Sequence, residues 1–338
     1  MNPTMIGVDI AKSVFQVHGE DANGKVLLRK RLGRAAFEKF MATLPAAAVG
    51  IEACGSSHHW ARRLRALGHE VRLVPASYVK PFVKRNKTDA RDAAAICEAM
   101  QRPDMRFVAV KSLDQQASRG LQTSRDLLIK QRTQLRNAFR AQMAEFGIIA
   151  AQGRRGLAEL AARLAGDDPM LPAAIRLALR QLHDQAAALD VAIEALERAI
   201  VASAKADPVM KRLTTIPGIG ALGAHAIVTA IGDGAQFRCG RDFAAWVGLT
   251  PRERQSANTR RRGGISRQGD RGVRRVLVLG ASALIKARRQ RPERATAWQS
   301  GILARRPVKV AVVAQAAKNA RTAWAMLRSG EAYRGVAA

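Results

Sequence analysis

The hydrophobic rhythm of this chain changes near residue 113, and that change constrains the fold more than any other feature. Before it, short apolar runs with strand character alternate with helical ones; after it, strand signals fade and apolar residues recur at helical spacing. "MIGVDIAK" and "SVFQVHGE" read as adjacent strands, "NGK" at 23–25 is a hairpin signal, and "VLLRKRL" continues as a third antiparallel strand. The helix-like "AAFEKFMATL" precedes "AVGIEACG", an apolar run that reads as a buried strand. Then come a helix at "SSHHWARRLRALG", a strand at "EVRLVPAS", and a helix at "TDARDAAAICEAMQR" with Thr88 as its N-cap. This order predicts an α/β domain over residues 1–112, a hairpin-built sheet followed by β-α-β-α.

From 113 to about 205 the pattern is a heptad. Ile175, Leu179, Leu182, Ala186, Leu189, Ile193, Leu196 and Ile200 recur in alternating steps of four and three, and Leu121, Leu128 and Leu135 stand seven apart upstream. "GDDPMLP" breaks the helix between them, so an antiparallel hairpin and an intersubunit coil both fit, and a dimerising arm is the favoured reading. Residues 206–338 begin with "IPGIG" between two helical stretches, which resembles a helix-hairpin-helix turn. The organisation is therefore α/β plus all-α: an α/β domain over 1–112, a coiled-coil oligomerisation arm over 113–205 and a mostly helical C-terminal domain over 206–338.

Charge narrows the partner. The chain carries 57 Lys plus Arg against 27 Asp plus Glu, a formal net charge of +30. Such a surface repels itself unless a polyanion neutralises it, and the arginine fork suits phosphate oxygens. The basic residues also cluster. Residues 252–275 hold nine arginines with Gly263, Gly264 and Gly269 interspersed, which reads as a flexible loop beside DNA. Arg252, Arg254, Arg260, Arg261 and Arg262 lie in its first half; Ser266, Arg267, Arg271, Arg274 and Arg275 follow. Lys12, Lys84, Arg85 and Lys87 add basic groups near the N-terminal acids. No apolar run reaches the ~20 residues of a membrane span, and no signal peptide is visible, so a cytoplasmic location is expected. Cys54, Cys97 and Cys239 have no paired spacing and read as reduced thiols.

Against this basic background four acids stand out. Asp9 lies between Val8 and Ile10 in the first strand, and Glu52 closes the apolar "AVGIEACG"; a carboxylate in such a run is costly unless it binds something. Asp89 and Asp92 share one helical face in its first turn. Each has a bland explanation alone. Together they form an oxygen-only donor set suited to Mg²⁺ or Mn²⁺, and such metals clamp the attacking and leaving oxygens of a phosphodiester.

In their order, "GVD", "GIEACGS" and "KTDARDA" resemble the DEDD transposases and Piv-type invertases, the one-ten family of bacterial insertion sequences. The likeness continues through "IPGIG", "WVGLTPRERQS" and "RGGISRQGDRGVRRVLVLGA". It implies a RuvC-like N-terminal domain with a ribonuclease H fold, binding its metal through Asp9, Glu52, Asp89 and Asp92. It also implies a C-terminal transposase domain whose serine, by motif position Ser256, attacks DNA to form a covalent phosphoserine. The family's recombination is guided by a bridge RNA that pairs with donor and target DNA. Where the family commonly has Ser-Gly, this chain has Ser256 followed by Ala257.

Ser256 stands among arginines able to stabilise a phosphorane, with no histidine near in sequence; a nearby metal would have to activate its hydroxyl. Ser266 is the rival. His58 and His59 read as a helix start or a nucleic-acid contact, and an aromatic content of only 4% argues against a base-stacking platform. The long arm between acids and serine predicts sites composed by different protomers of a dimer or tetramer. Two other functions fit parts of the pattern: a metal-only RuvC-like nuclease or junction resolvase, and an architectural nucleic-acid-binding protein with structural acids. A sugar-kinase or actin-like ATPase also starts "GVDI", but lacks Gly-rich phosphate loops here.

Overall fold

The computed structural model describes residues 2–83, 88–166, 168–256 and 259–335. The chain divides into two compact units, Met1–Leu113 and Asp114–Ala338. The first is α/β, the second largely helical with one small sheet.

The first unit runs β1 (Met5–Ile10), β2 (Val14–Glu20), β3 (Val26–Gly33), α1 (Arg34–Thr43), β4 (Ala48–Glu52), α2 (Ser57–Ala66), β5 (Glu70–Val74), the short α3 (Ala76–Val79) and α4 (Asp89–Met100). The sheet order is β3-β2-β1-β4-β5. β1, β2 and β3 form an antiparallel meander, while β4 lies parallel to β1 and β5 parallel to β4. Alternation along the strands separates two faces. Ile6, Val8, Phe15, Val17, Val49, Ile51 and Leu73 pack with Phe37 of α1 and Trp60 and Leu64 of α2. Phe15, Phe37 and Trp60 meet edge-on there, with ring centroids 4.8 to 5.3 Å apart.

α4 covers part of the opposite face, and glycine lets it come close. Gly7 and Gly50 are partners in the β1–β4 register. A Cβ on Gly7 would lie 2.1 Å from the Ala93 carbonyl oxygen and 2.7 Å from the Cys97 amide nitrogen; on Gly50 it would lie 2.7 Å from the Met100 sulfur. The two form a smooth floor on which the backbone of α4 rests. Thr88 starts this helix as N-cap, its hydroxyl accepting the Arg91 amide.

The segment after α4 returns to the sheet, where the Val108 amide donates to the Leu73 carbonyl at 2.8 Å. It is also held by His58, whose Nδ1 accepts the Lys111 amide at 3.2 Å. Burial, then the charges of Lys111 and Arg62, push the His58 pKa down to about 4 from its ordinary 6.5.

The second unit opens with α5 (Leu113–Glu145), α6 (Arg154–Ala165) and α7 (Ala173–Ala206). The long helices pair within the chain: Arg125 reaches Glu197, while Arg132 and Arg136 both reach Asp190, so the two run antiparallel. Within the chain the seam is thus part of an antiparallel hairpin, one of the two arrangements that the heptad allows. Along α7 one heptad position (Leu179, Ala186, Ile193, Ile200) is buried, and the other (Ile175, Leu182, Leu189, Leu196) is half-buried. Phe139, Met143, Leu160, Leu164 and Leu179 close the far end.

The remainder comprises α8 (Pro208–Leu213), α9 (Ala221–Ile231), α10 (Gly240–Val247), β6 (Pro251–Ser256), β7 (Thr259–Ile265), α11 (Arg271–Gln290), α12 (Ala297–Arg305) and α13 (Val308–Ser329). Leu213, Ile227, Phe243, Val247, Leu277, Ile285 and Ala320 make its core. The "IPGIG" turn faces this core: Gly218 has φ +88 and a Cβ there would sit 3.0 Å from the Gly280 carbonyl oxygen, while Asn319 Nδ2 donates to the Pro217 carbonyl. The arginine-rich segment was expected as a flexible loop. Its described residues form a two-stranded antiparallel ribbon of β6 and β7, with a helix from Arg271. The run of arginines and glycines reads as a loop because neither face of the ribbon is buried, so its strands show no apolar alternation.

Gly7→Ala should lower the stability of the first unit by about 1–3 kcal/mol through overpacking against backbone, whereas Gly120→Ala, on an exposed turn of α5 with open space around it, should raise stability by about 0.5–1 kcal/mol; denaturant unfolding checks both. A second prediction concerns pH. Between 6.5 and about 4 the folded state holds fewer protons on His58 than the unfolded chain does, so stability should fall as pH falls through that window and be insensitive to this group above it. Unfolding midpoints measured across the window should show a flatter dependence in His58→Asn.

Candidate functional site

Asp9 lies near the end of β1, on the same sheet face as Gly7, and Glu52 ends β4 on the same face as Gly50. α4, lying on that glycine floor, brings its first turn over the ends of these strands. The carboxylates of Asp9, Asp89 and Asp92 thereby each offer an oxygen, all within 4.8 Å of one another. Asp92 is 7% exposed, Asp9 half-buried and Asp89 exposed. Glu52 stands at the neighbouring strand end, outside this triplet. Its charge and that of Asp9 both reach Cys54, whose thiol pKa is pushed up by burial first, then by Glu52, then by Asp9.

Two carboxylates at such a distance repel by about 3 kcal/mol at an effective dielectric of about 20. A cation between them relieves that cost, and a donor set made only of carboxylate oxygens suits a hard divalent ion. The residues present therefore fit a divalent metal. Sequence reasoning overlooked Gly7 and Gly50, although the signal was there: both acids stand two residues after a glycine in an apolar strand.

The basic residues separate into paired and unpaired groups. Lys84, Arg85 and Lys87 lie outside the described residues. Lys12 is exposed in the β1–β2 turn, and its carbonyl accepts Arg34 at 2.8 Å. Arg252, Arg254, Arg260, Arg261, Arg262 and Ser256 all stand exposed on the ribbon, with Ser256 the last residue of β6 opposite Thr259. Ser266 accepts the Gln268 amide at its hydroxyl, and Arg267 adopts a left-handed backbone with φ +57. Arg271 is exposed on the first turn of α11. Arg274 donates to the carbonyls of Val247 and Gln268, both at 2.7 Å, and Arg275 pairs with Asp126. Those last two guanidiniums hold the foot of the ribbon and α5 in place, so their first role is structural.

Residues 6–148 match the DEDD_Tnp_IS110 transposase model, and residues 210–299 match that of the Transposase IS116/IS110/IS902 family. The chain is 44% identical over 336 residues to a Pseudomonas aeruginosa protein named "Probable family 20 transposase", covering 99% of both. It is 38% identical to the transposase for insertion sequence element IS1328 of Yersinia enterocolitica, covering 98% of this chain and 99% of that one. The transposase for insertion sequence element IS1111A of Coxiella burnetii is also 38% identical, with 98% and 91% covered. A DEDD transposase domain implies use of a divalent metal. Among the described residues no helix is long and apolar enough to cross a membrane.

Titration of the protein with Mn²⁺ should show saturable binding that Asp9→Asn or Asp92→Asn removes, while Glu52→Gln weakens it by roughly 10- to 100-fold. Calorimetry reads the affinities directly, and equal binding by all variants would place the ion elsewhere.

Proposed function

The chain belongs to the IS116/IS110/IS902 family of transposases and is an insertion-sequence transposase, and on that premise we propose that its DNA chemistry is divided between a divalent cation held by Asp9, Glu52, Asp89 and Asp92 and the hydroxyl of Ser256. One observation carries the metal half: carboxylates from a strand and from the first turn of a helix converge within 4.8 Å. The sheet order β3-β2-β1-β4-β5 supports a RuvC-like, ribonuclease H reading of the first unit. Mg²⁺, or Mn²⁺ in its place, would neutralise charge on a phosphodiester at that site.

The serine half is supported by its setting. Ser256 is exposed at the end of β6, with Arg254 and Arg261 on the same face of the ribbon. Their guanidiniums suit the extra charge of a pentavalent phosphorus. Attack of Oγ on phosphorus forms a phosphoserine ester as the bond to a deoxyribose oxygen breaks; Oγ gives up a proton and the leaving oxygen takes one. One phosphate ester replaces another, so a returning strand's hydroxyl can reverse the exchange and rejoin DNA without an outside energy source. Arginine–phosphate contacts position DNA and specify no sequence. A bridge RNA pairing with donor and target would supply that specificity, with the protein assembled as a dimer or tetramer.

Nicked substrate DNA incubated with the protein and run on a denaturing gel tests the division. Wild type should yield a covalent protein–DNA adduct that Ser256→Ala abolishes and that Asp9→Asn or a chelator also removes. Metal-dependent cutting with no adduct would instead identify a nuclease in which water or a DNA hydroxyl attacks.

A further inference from the structure

The arginine ribbon has two chemically different faces. Residues directly opposite one another in an antiparallel pair share a face, and successive residues alternate. The register pairs Glu253 with Arg262 and Gln255 with Arg260, which puts these four on one face. Arg254 with Arg261, and Ser256 with Thr259, occupy the other.

On the first face Glu253 is clamped. Arg260 donates to both its carboxylate oxygens, at 2.8 and 2.7 Å, and Arg262 Nε donates at 2.9 Å. These bonds, that to Arg260 first, hold the Glu253 carboxyl below the usual carboxylate range, so it stays ionised at neutral pH. Among the described residues no carboxylate pairs with Arg254 or Arg261 on the second face. Among the paired positions 253–256 and 259–262 the acid thus leaves a net single positive charge on its own face against two on the serine face; Arg252 lies at the register shift before Glu253 and donates to the Ser266 carbonyl. The clamp is exposed, with Glu253 at 43% and its two arginines at 54% and 64%, and ion pairs so exposed contribute little to stability. Its effect is on where positive charge points.

We propose that Glu253 is a positioning residue: by tying up Arg260 and Arg262 it makes the Ser256 face of the ribbon the one that a DNA phosphodiester meets. This rests on the reading of Ser256 as nucleophile and deepens it. A two-stranded ribbon is narrow enough for the major groove of duplex DNA, where phosphates flank it on both sides. With three or four equivalent free guanidiniums it would seat either way up. With one face partly neutralised, the seating that buries the serine face against the backbone gains more counterion release than its reverse. Glu253 thereby trades raw affinity for orientation.

The test compares full-length wild type, Glu253→Gln, Glu253→Asp and Ser256→Ala for binding to a nonspecific duplex over a range of salt, and for adduct formation on nicked DNA. Glu253→Gln should bind more tightly, with a slope of log affinity against log salt steeper by about 0.9 for each freed arginine that reaches a phosphate, yet form less adduct. Glu253→Asp, which keeps the charge, should return both readouts toward wild type. Unchanged slope and adduct in Glu253→Gln would overturn the proposal, as would weaker binding, which would mean that the carboxylate only supports the ribbon. Ser256→Ala separates the two ideas: an adduct that survives it removes the nucleophile reading, while the salt slopes still decide whether Glu253 directs charge.

Discussion

The approach of α4 to the sheet is the contact on which the cluster of carboxylates depends. Gly7 and Gly50 sit side by side in neighbouring strands, and their missing side chains let the Ala93 carbonyl and the Cys97 amide lie against β1. Each acid follows its glycine by two residues, so the same alternation that aims hydrogen atoms at the helix aims carboxylates at its first turn. Close backbone packing and convergence of the aspartates are one geometric event. Any side chain at Gly7 would lift α4 and spread the triplet.

The second unit is organised by a different interaction, the arginine–carboxylate pair. Arg125 with Glu197 and Arg132 and Arg136 with Asp190 join the long helices; Arg119 with Asp270 and Arg275 with Asp126 tie α5 to α11. Exposed pairs are weak singly, but these connect residues far apart in sequence and sit partly buried between helices. In a chain of 57 basic and 27 acidic residues such pairing uses up carboxylates and leaves arginines over. On the ribbon the surplus is visible, because a single acid, Glu253, serves two of its guanidiniums.

The α/β order of the first unit was legible because β1, β2, β4 and β5 carry buried apolar residues, α2 is followed by Gly68 in a left-handed conformation and α4 starts at the Thr88 N-cap. Thr88 and the hairpin at 23–25 are instances where local chemistry and fold agree. The heptad was legible as a helix, and its intrachain partner was not: Asp190 and Glu197 meet arginines of α5, a pairing that the spacing of apolar residues does not encode. The ribbon escaped because strand reading relies on apolar alternation, and a ribbon exposed on both sides has none. Of the acids, Asp9, Asp89 and Asp92 meet, while Glu52 stands apart from the triplet at its own strand end. Strand periodicity alone assigns a face but no distance.

Sequence by itself determined the alternation of strands and helices up to residue 113, the long helices after it, the excess of positive charge and the four acids that stand in apolar or helix-starting positions, since these depend on local pattern and composition. Only the tertiary structure decided which acids converge, which helix is the partner of the heptad seam, and which arginines are free. Those are matters of distance between elements remote in the chain, set by how near two backbones can come and by which carboxylate reaches which guanidinium.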